Sequence, residues 1–144
     1  MKNSARLGMV GSTLMLAAGL AIGPAATASA TVYSLQGSVS KYGWNTYFTT
    51  ARAHSSGPIR INISKFQGCG GSLYFSLRRG VSSSSPRVTN VVRIARLGTS
   101  YGFTKKGSTS TTLPKGTYYV TAASDPGAGC PGVTSLPFGG VLNI

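Results

Sequence analysis

Acidic side chains are almost absent from this sequence. Asp125 is the single Asp or Glu among 144 residues, against fourteen Lys and Arg. A glycosidase of the usual kind places two carboxylates at the scissile bond, and one acid cannot fill both positions. The shortage of acid therefore argues against paired-carboxylate catalysis.

Histidine and cysteine are nearly as scarce, with one histidine and two cysteines. Metal sites draw most of their ligands from His, Cys and carboxylates, so the chain offers too few of them. His54 is followed by Ser-Ser-Gly-Pro, and we interpret it as an exposed loop histidine. Asp125 lies in Ser-Asp-Pro-Gly and is typical of a turn whose side chain bonds the following backbone.

One short segment, Gly-Thr-Ser-Tyr-Gly at 98–102, matches the nucleophile elbow G-x-S-x-G with Ser100 in the nucleophile position. The elbow requires a helix after the serine, and the following FTKKGSTSTT is poor in helix formers. That fold also orders its residues as serine, acid and histidine, whereas this chain has His54, Ser100 and then Asp125. We therefore predict that the chain is not an enzyme and carries neither a cofactor nor a metal.

Long apolar runs are confined to the first thirty residues. Lys2 and Arg6 precede an uncharged, mostly apolar run from Leu7 to Ile22, and small residues follow at Ala28 and Ala30. This arrangement predicts a secretory signal peptide over the first thirty residues. A membrane anchor is the alternative, but the run is short for a span and Gly-Pro follows it.

The remaining residues, 31–144, are enough for one domain with a single hydrophobic core. They contain no second apolar run long enough to cross a membrane. We therefore expect a secreted, extracellular protein.

Both cysteines, Cys69 and Cys130, lie in glycine-flanked segments, GCGG and GAGCPG. An exported protein meets an oxidising compartment, and glycines allow the backbone to bring two sulfurs together. We predict one disulfide between them. In the chain-entropy model a loop of this length stabilises the fold by about 4 kcal/mol.

Alternation with a period of two recurs along the chain and predicts strands. Apolar residues occupy every second position in three clear runs: Ile59, Ile61 and Ile63; Leu73, Phe75 and Leu77; and Tyr118, Val120 and Ala122. Further strands are expected over 32–39, over 45–53 and in the closing PFGGVLNI, with Gly, Pro and Ser turns between them. The pattern predicts an all-β fold, a single antiparallel β-sandwich of jelly-roll or Greek-key type.

The segment 86–97, PRVTNVVRIARL, fits two structures. Ser-Pro at its start and Gly98 after it would suit a helix. Its β-branched valines, threonine and isoleucine and the strands on both sides favour a strand, which we prefer.

The order of these elements resembles a known family. LYFSLRRG, a polar stretch, TLPKGTYYVTAAS and a last strand are similar to the jelly-roll sandwich of bacterial pre-peptidase C-terminal domains and related carbohydrate-binding-like modules, over residues 59–144. The resemblance implies a sandwich with carbohydrate-binding-like relatives. Ser72 stands where many members carry an aspartate, so no calcium ligand and no functional residue is carried over.

The excess of cations remains after the predicted signal peptide, which removes only two of the fourteen Lys and Arg. Such a balance favours polyanionic partners, and we expect an anionic cell-wall polymer or polysaccharide, although the charge could serve solubility alone. No dedicated nucleic-acid motif is present. Aromatic rings and guanidinium groups can stack on sugars and contact anionic oxygens. The candidate polymer-binding residues are Arg60, Lys65, Tyr74, Arg78, Arg79 and Trp44.

The function expected from the sequence is therefore a secreted, non-catalytic binding module for anionic or carbohydrate polymers, with Arg60 and Arg78 on one basic sheet face. The alternative is a secreted inhibitor or antimicrobial-type protein. In that case a rigid loop, SLRRG or FTKKG, would present Arg79 or Lys105 to a trypsin-like protease.

Overall fold

The computed structural model describes residues 30–144, and the predicted signal peptide lies outside the described residues apart from its last position. Within 30–144 the chain is all-β and has no helix. The strands are β1 Val32–Ser40, β2 Thr46–Tyr47, β3 Arg52–His54, β4 Gly57–Pro58, β5 Arg60–Phe66, β6 Leu73–Arg78, β7 Val92–Ile94, β8 Ser100–Gly102, β9 Thr112–Leu113, β10 Gly116–Ser124 and β11 Ser135–Asn143.

Two antiparallel sheets form the sandwich. The first sheet has the order β1-β11-β5-β8, and the second has the order β2-β10-β6-β7, with β3 pairing with a further part of β10. β4 and β9 form a separate short pair. The predicted strands over 32–39 and at the chain end are confirmed as β1 and β11, which pair along their whole length.

The strand order is that of a jelly roll. If β2 and β3 count as one strand and the small β4–β9 pair is set aside, eight principal strands remain. Their order is first-eighth-third-sixth in one sheet and second-seventh-fourth-fifth in the other, so every connection except that from the fourth to the fifth strand crosses between the sheets. This arrangement, two Greek keys wrapped into a double sheet, confirms the predicted sandwich class.

The core lies between the two sheets and is built by the alternation read from the sequence. Ile59, Ile61, Ile63, Leu73, Phe75, Leu77, Tyr118, Val120 and Ala122 are all buried, as predicted. Phe75 of the second sheet meets Phe138 of the first edge to face, with ring centroids 5.3 Å apart. Burying a phenylalanine side chain stabilises the fold by about 2 kcal/mol. Because the two rings belong to different sheets, their contact helps to hold the sheets together.

One end of the sandwich is closed by the predicted disulfide between Cys69 and Cys130, which is confirmed. It links the loop before β6 to the loop between β10 and β11. The backbone N–H of Cys69 also donates to the carbonyl of Ala128 at 2.9 Å. The disulfide and this hydrogen bond therefore fix the two loops to each other.

The structure corrects the prediction for residues 45–53 and decides between the two alternatives for residues 86–97. The strand predicted over 45–53 is divided into β2 and β3, because the chain leaves β10 between them and pairs with it again further along. The segment 86–97 is extended and contains β7, which agrees with the strand alternative. Its pairing with β6 supplies the backbone partners that an isolated strand would lack.

No helix within residues 30–144 is long and apolar enough to cross a membrane.

Candidate functional site

The predicted site residues are divided between the two sheets. Arg60 and Lys65 belong to β5 in the first sheet, whereas Tyr74 and Arg78 belong to β6 in the second. The sheets pack on each other through their inner faces, so outward side chains of β5 and β6 lie on opposite sides of the sandwich. The expectation that Arg60 and Arg78 share one basic face is therefore wrong.

The outer face of the second sheet gathers cationic and aromatic side chains from neighbouring strands. Arg78 lies directly opposite Tyr119 of β10 and, on its other side, opposite Arg87 in an isolated bridge. Tyr74 lies opposite Arg93 of β7. Directly opposed residues have their Cβ atoms about 5 Å apart and share one face. We call this set the arginine–tyrosine face: Tyr47, Tyr74, Arg78, Arg87, Arg93 and Tyr119.

Small hydroxyl side chains form the floor of this face. Ser76 and Thr121 lie opposite each other in the middle of the sheet and point outward, yet both are buried. Larger side chains on the rows to either side, such as Arg78 and Tyr74, cover them. The two hydroxyl side chains therefore lie beneath the tyrosine and arginine side chains of this face.

The guanidinium of Arg78 is held in place from two directions. Its Nη1 donates to the carbonyl oxygens of Ser83 and Ser85 in the serine-rich loop. Its central carbon lies 5.3 Å from the centroid of the Tyr47 ring, a cation–π contact. Its Nε is buried without a hydrogen-bond partner. The bonds and the ring contact therefore fix the position of this cation within the protein.

Asp125 is bonded at one end of the arginine–tyrosine face. Its Oδ1 accepts from the hydroxyl of Tyr74 and its Oδ2 from the backbone N–H of Ser72, both at 2.7 Å. These bonds hold the pKa of Asp125 below its ordinary value, and the same bond to the carboxylate raises the pKa of Tyr74. Arg93 donates to the hydroxyl of Ser72 at 2.9 Å. Tyr74 and Arg93 thus lie at the acidic end of the face, and Arg78 and Arg87 at the other.

Arg79, although next to Arg78 in sequence, does not join this face. Its Nη1 donates to the carbonyl of Thr117 at 3.2 Å and its Nη2 to the hydroxyl of Tyr118 at 3.3 Å. The guanidinium lies 4.3 Å from the centroid of the buried Tyr118 ring. The Arg79 side chain therefore packs over the edge of the core at Tyr118 instead of pointing toward solvent on the arginine–tyrosine face.

Arg60 and Lys65, on the first sheet, are in simpler surroundings. Arg60 donates from Nε to the hydroxyl of Ser100 at 3.0 Å. Lys65 borders a shallow, open cavity of about 240 Å³ together with Gln36 and Pro137. Neither cation lies over an aromatic ring.

The loop FTKKG forms a tight turn. The backbone N–H of Ser108 donates to the carbonyl of Lys105 at 3.0 Å. Asn90 braces the turn through its Nδ2, which donates to Thr104 Oγ1 and to the carbonyl of Ser108, both at 2.9 Å. Lys105 is exposed on this turn while Arg79 is folded onto Tyr118, so of the two residues only Lys105 is presented as the inhibitor hypothesis requires. That hypothesis stays a prediction.

The three residues that could imitate a catalytic triad do not meet. Ser100 begins β8 in the first sheet and accepts from Arg60. His54 pairs with Gly116 at the start of β10, whereas Asp125 follows its end. The strand between them is roughly 26 Å long. The match to the nucleophile elbow therefore has no matching geometry.

His54 itself is not the exposed loop histidine that the sequence suggested. It is 6% exposed, because β3 pairs with β10 and turns the ring inward against Tyr118 at a centroid distance of 5.7 Å. Its Nε2 lies 3.3 Å from the carbonyl oxygens of both Gly57 and Leu113, and its Nδ1 is buried without a partner. The strand predicted over 45–53 stops one residue short of His54, and the Ser-Ser-Gly-Pro that follows the histidine favoured a loop.

Arg52, two residues earlier on the same strand, is a buried cation that no sequence pattern indicated. It is only 5% exposed, and its Nη1 donates to the carbonyl of Thr50 at 3.0 Å. Its Nε has no partner, and the guanidinium lies 5.8 Å from the centroid of the Tyr33 ring. Burial lowers the pKa of Arg52 from its ordinary value. Its neighbours are alanines, so no apolar alternation marked it as inward-facing.

Within residues 30–144, no three His, Cys, Asp or Glu side chains come together in a group that could hold a metal ion. Comparison with protein families, with curated proteins and with solved structures gave no match for this chain.

Proposed function

We propose that this chain is a secreted, non-catalytic module that binds an anionic polymer at the cell surface through the arginine–tyrosine face. The observation that carries the proposal is the register of β6, β7 and β10, which sets arginines and tyrosines side by side on one outer face. The disulfide supports export, because such bonds form and persist in oxidising compartments.

Arginine suits this role because its planar guanidinium can make paired hydrogen bonds to phosphate, sulfate or carboxylate groups. Arg87 is half-buried and Arg93 exposed, so both can reach a ligand that lies on the face. Holding Arg78 against Tyr47 reduces the entropy that binding would otherwise cost. Tyrosine rings beside these cations offer flat apolar surface to the uncharged parts of a polymer.

The electrostatic setting also favours anions. Fourteen cations and one acid give the whole chain a formal net charge of +13. The single acid, Asp125, lies at the opposite end of the face from Arg78 and Arg87. It already accepts two hydrogen bonds there, from Ser72 and Tyr74. An anionic group at the Arg78 end therefore meets positive potential with no carboxylate side chain beside it.

The proposal is tested by retention on isolated cell wall, on the same wall stripped of anionic polymer, and on a neutral polysaccharide, each across a salt series. We expect retention on intact wall that falls steeply with salt, because binding releases condensed counterions. Stripping the anionic polymer should remove it. Binding that is indifferent to both salt and stripping would contradict the proposal, and no binding to any of the three would leave the charge with a role in solubility alone.

A further inference from the structure

Two aromatic side chains are exposed on the turn before β2. Trp44 is 69% exposed and Tyr42 is 52% exposed, and their ring centroids are 5.4 Å apart at a tilt of 36°. The ammonium of Lys41 lies 5.3 Å from the centroid of the Tyr42 ring. We call residues 41–44 the aromatic turn. Exposed large apolar side chains that contact each other in this way mark a contact site for a ligand more often than isolated ones do.

The aromatic turn is rigidly attached to the sandwich. The backbone N–H of Lys41 donates to the carbonyl of Thr134 at 3.1 Å, and the carbonyl of Lys41 accepts from Gly127 at 2.8 Å. Gly43 adopts a φ of 78°, and a Cβ there would lie 3.0 Å from Pro126. The 125–134 loop on which the turn rests is tied to the 67–72 loop by the disulfide. The backbone of the turn therefore has little conformational entropy for a ligand to remove.

The turn also adjoins the arginine–tyrosine face. Trp44 precedes Tyr47 by three positions, so their Cα atoms are at most about 10 Å apart. Tyr47 pairs with Thr121, and the guanidinium of Arg78 lies over its ring. A single extended polymer chain can therefore contact the face and the turn together.

We infer that the aromatic turn is a platform for a sugar ring, and hence that the polymer bound by this protein is an anionic glycan. The inference rests on the proposed function of the arginine–tyrosine face. A sugar ring presents an apolar C–H side that can cover an aromatic ring while its hydroxyls stay in contact with polar groups. Lys41 and the exposed Asn45 border the two rings and supply such groups.

A lipid surface is the other partner that exposed tryptophan, tyrosine and lysine could suit. The apolar area on this turn is limited to two rings, with the exposed Val133 on the adjoining loop. Interfacial membrane segments bury a broad apolar face, which this turn does not offer. The observations thus favour the glycan, and vesicle binding is an outcome of the test.

Trp44 is the only tryptophan of the chain, so its fluorescence reports directly on the turn. The probes are dextran, which has sugar rings without charge, polyphosphate, which has charge without sugar rings, and dextran sulfate, which has both. We expect dextran and dextran sulfate to change the emission of Trp44, in low and in high salt, and polyphosphate to leave it unchanged. Tyr42→Ala should weaken dextran binding about fivefold while polyphosphate binding is retained.

A face variant, Arg87→Gln with Arg93→Gln, supplies the matched control and should keep the dextran response while losing affinity for polyphosphate. An unchanged Trp44 emission with dextran would overturn the glycan inference, and salt-dependent polyphosphate binding in the same series would leave the proposed function standing. A response of Trp44 to dextran without any polyphosphate binding would support the sugar platform and contradict the proposed binding of an anionic polymer. A larger emission change with anionic lipid vesicles than with dextran would assign the turn to a membrane and overturn the inference.

Discussion

The two outer faces of the sandwich arise from the same alternation of residues but differ in what they carry. On the first sheet the outward positions are mostly small or polar, as in Ser34, Gln36 and Asn62, and no outward strand position among the described residues is aromatic. On the second sheet Arg78 of β6 lies opposite Tyr119 of β10, and Tyr74 of β6 lies opposite Arg93 of β7. Core packing requires only that these positions face water, and the proposed binding function rests on their clustering on one sheet.

The largest expected effect tests whether both faces belong to one stable sandwich. Cys69→Ala with Cys130→Ala removes the cross-link, and we expect the free energy of unfolding to fall by up to about 4 kcal/mol because the unfolded chain gains entropy. Urea denaturation followed by far-ultraviolet circular dichroism measures this. An unchanged midpoint would mean that packing alone fixes the end of the sandwich next to the aromatic turn.

Arg79 sharpens the comparison because it lies beside Arg78 in sequence and makes different contacts. Arg79→Ala should lower the free energy of unfolding by about 1–2 kcal/mol, since it removes the cation–π contact with Tyr118 and the bonded guanidinium. Polymer affinity should change no more than for the loss of any single distant charge. A loss of affinity as large as that caused by face substitutions would show that Arg79 belongs to the binding surface.

Arg52 is expected to act in the opposite direction. Its charge is buried and its Nε has no partner, so Arg52→Met should raise the free energy of unfolding by about 1 kcal/mol. The methionine keeps most of the apolar stem that packs in the core. Destabilisation measured by urea denaturation would instead show that the contact with Tyr33 outweighs the desolvation of the cation.

Asp125 should give the smallest change and a characteristic pH dependence. Its pKa is lowered in the folded protein, so its bonds to Tyr74 and Ser72 contribute stability above the unfolded value of about 4. That contribution is lost as the pH falls through the folded pKa. Asp125→Asn should therefore be less stable than wild type at neutral pH, with the difference shrinking in acid. The measurement is the thermal unfolding temperature of both proteins from pH 7 down to pH 2. A difference in unfolding temperature that stays constant over this range would contradict the prediction.

The contrast between the two faces also shows how far sequence reasoning reaches in this protein. Alternation in SLYFSLRR placed Phe75 inward and Arg78 outward, because direction along one strand is a local property. It could not place Arg60 and Arg78 on different sheets, because sheet membership depends on which distant strands pair.

The parts of the site that the sequence did not supply have the same cause. Arg87 and Arg93 lie in the segment 86–97, whose structure was ambiguous, and they join the face only through bridges to Arg78 and Tyr74. His54 lies one residue beyond the strand predicted over 45–53, and its own strand, β3, is three residues long and is held by β10, more than sixty positions later. Short strands leave too few residues for a period to be recognised.

The most direct test of the account compares two charge-matched double variants, one on each face. Arg87→Gln with Arg93→Gln removes two cations from the second sheet, and Arg60→Gln with Lys65→Gln removes two from the first, so the net charge changes equally. Binding to polyphosphate is measured over a salt series for both and for wild type. We predict that the second-sheet variant loses affinity and that its slope of log affinity against log salt falls in magnitude by about two, while the first-sheet variant keeps the wild-type slope. Equal losses in the two variants would show that binding follows net charge, and would contradict the assignment of the site to the arginine–tyrosine face.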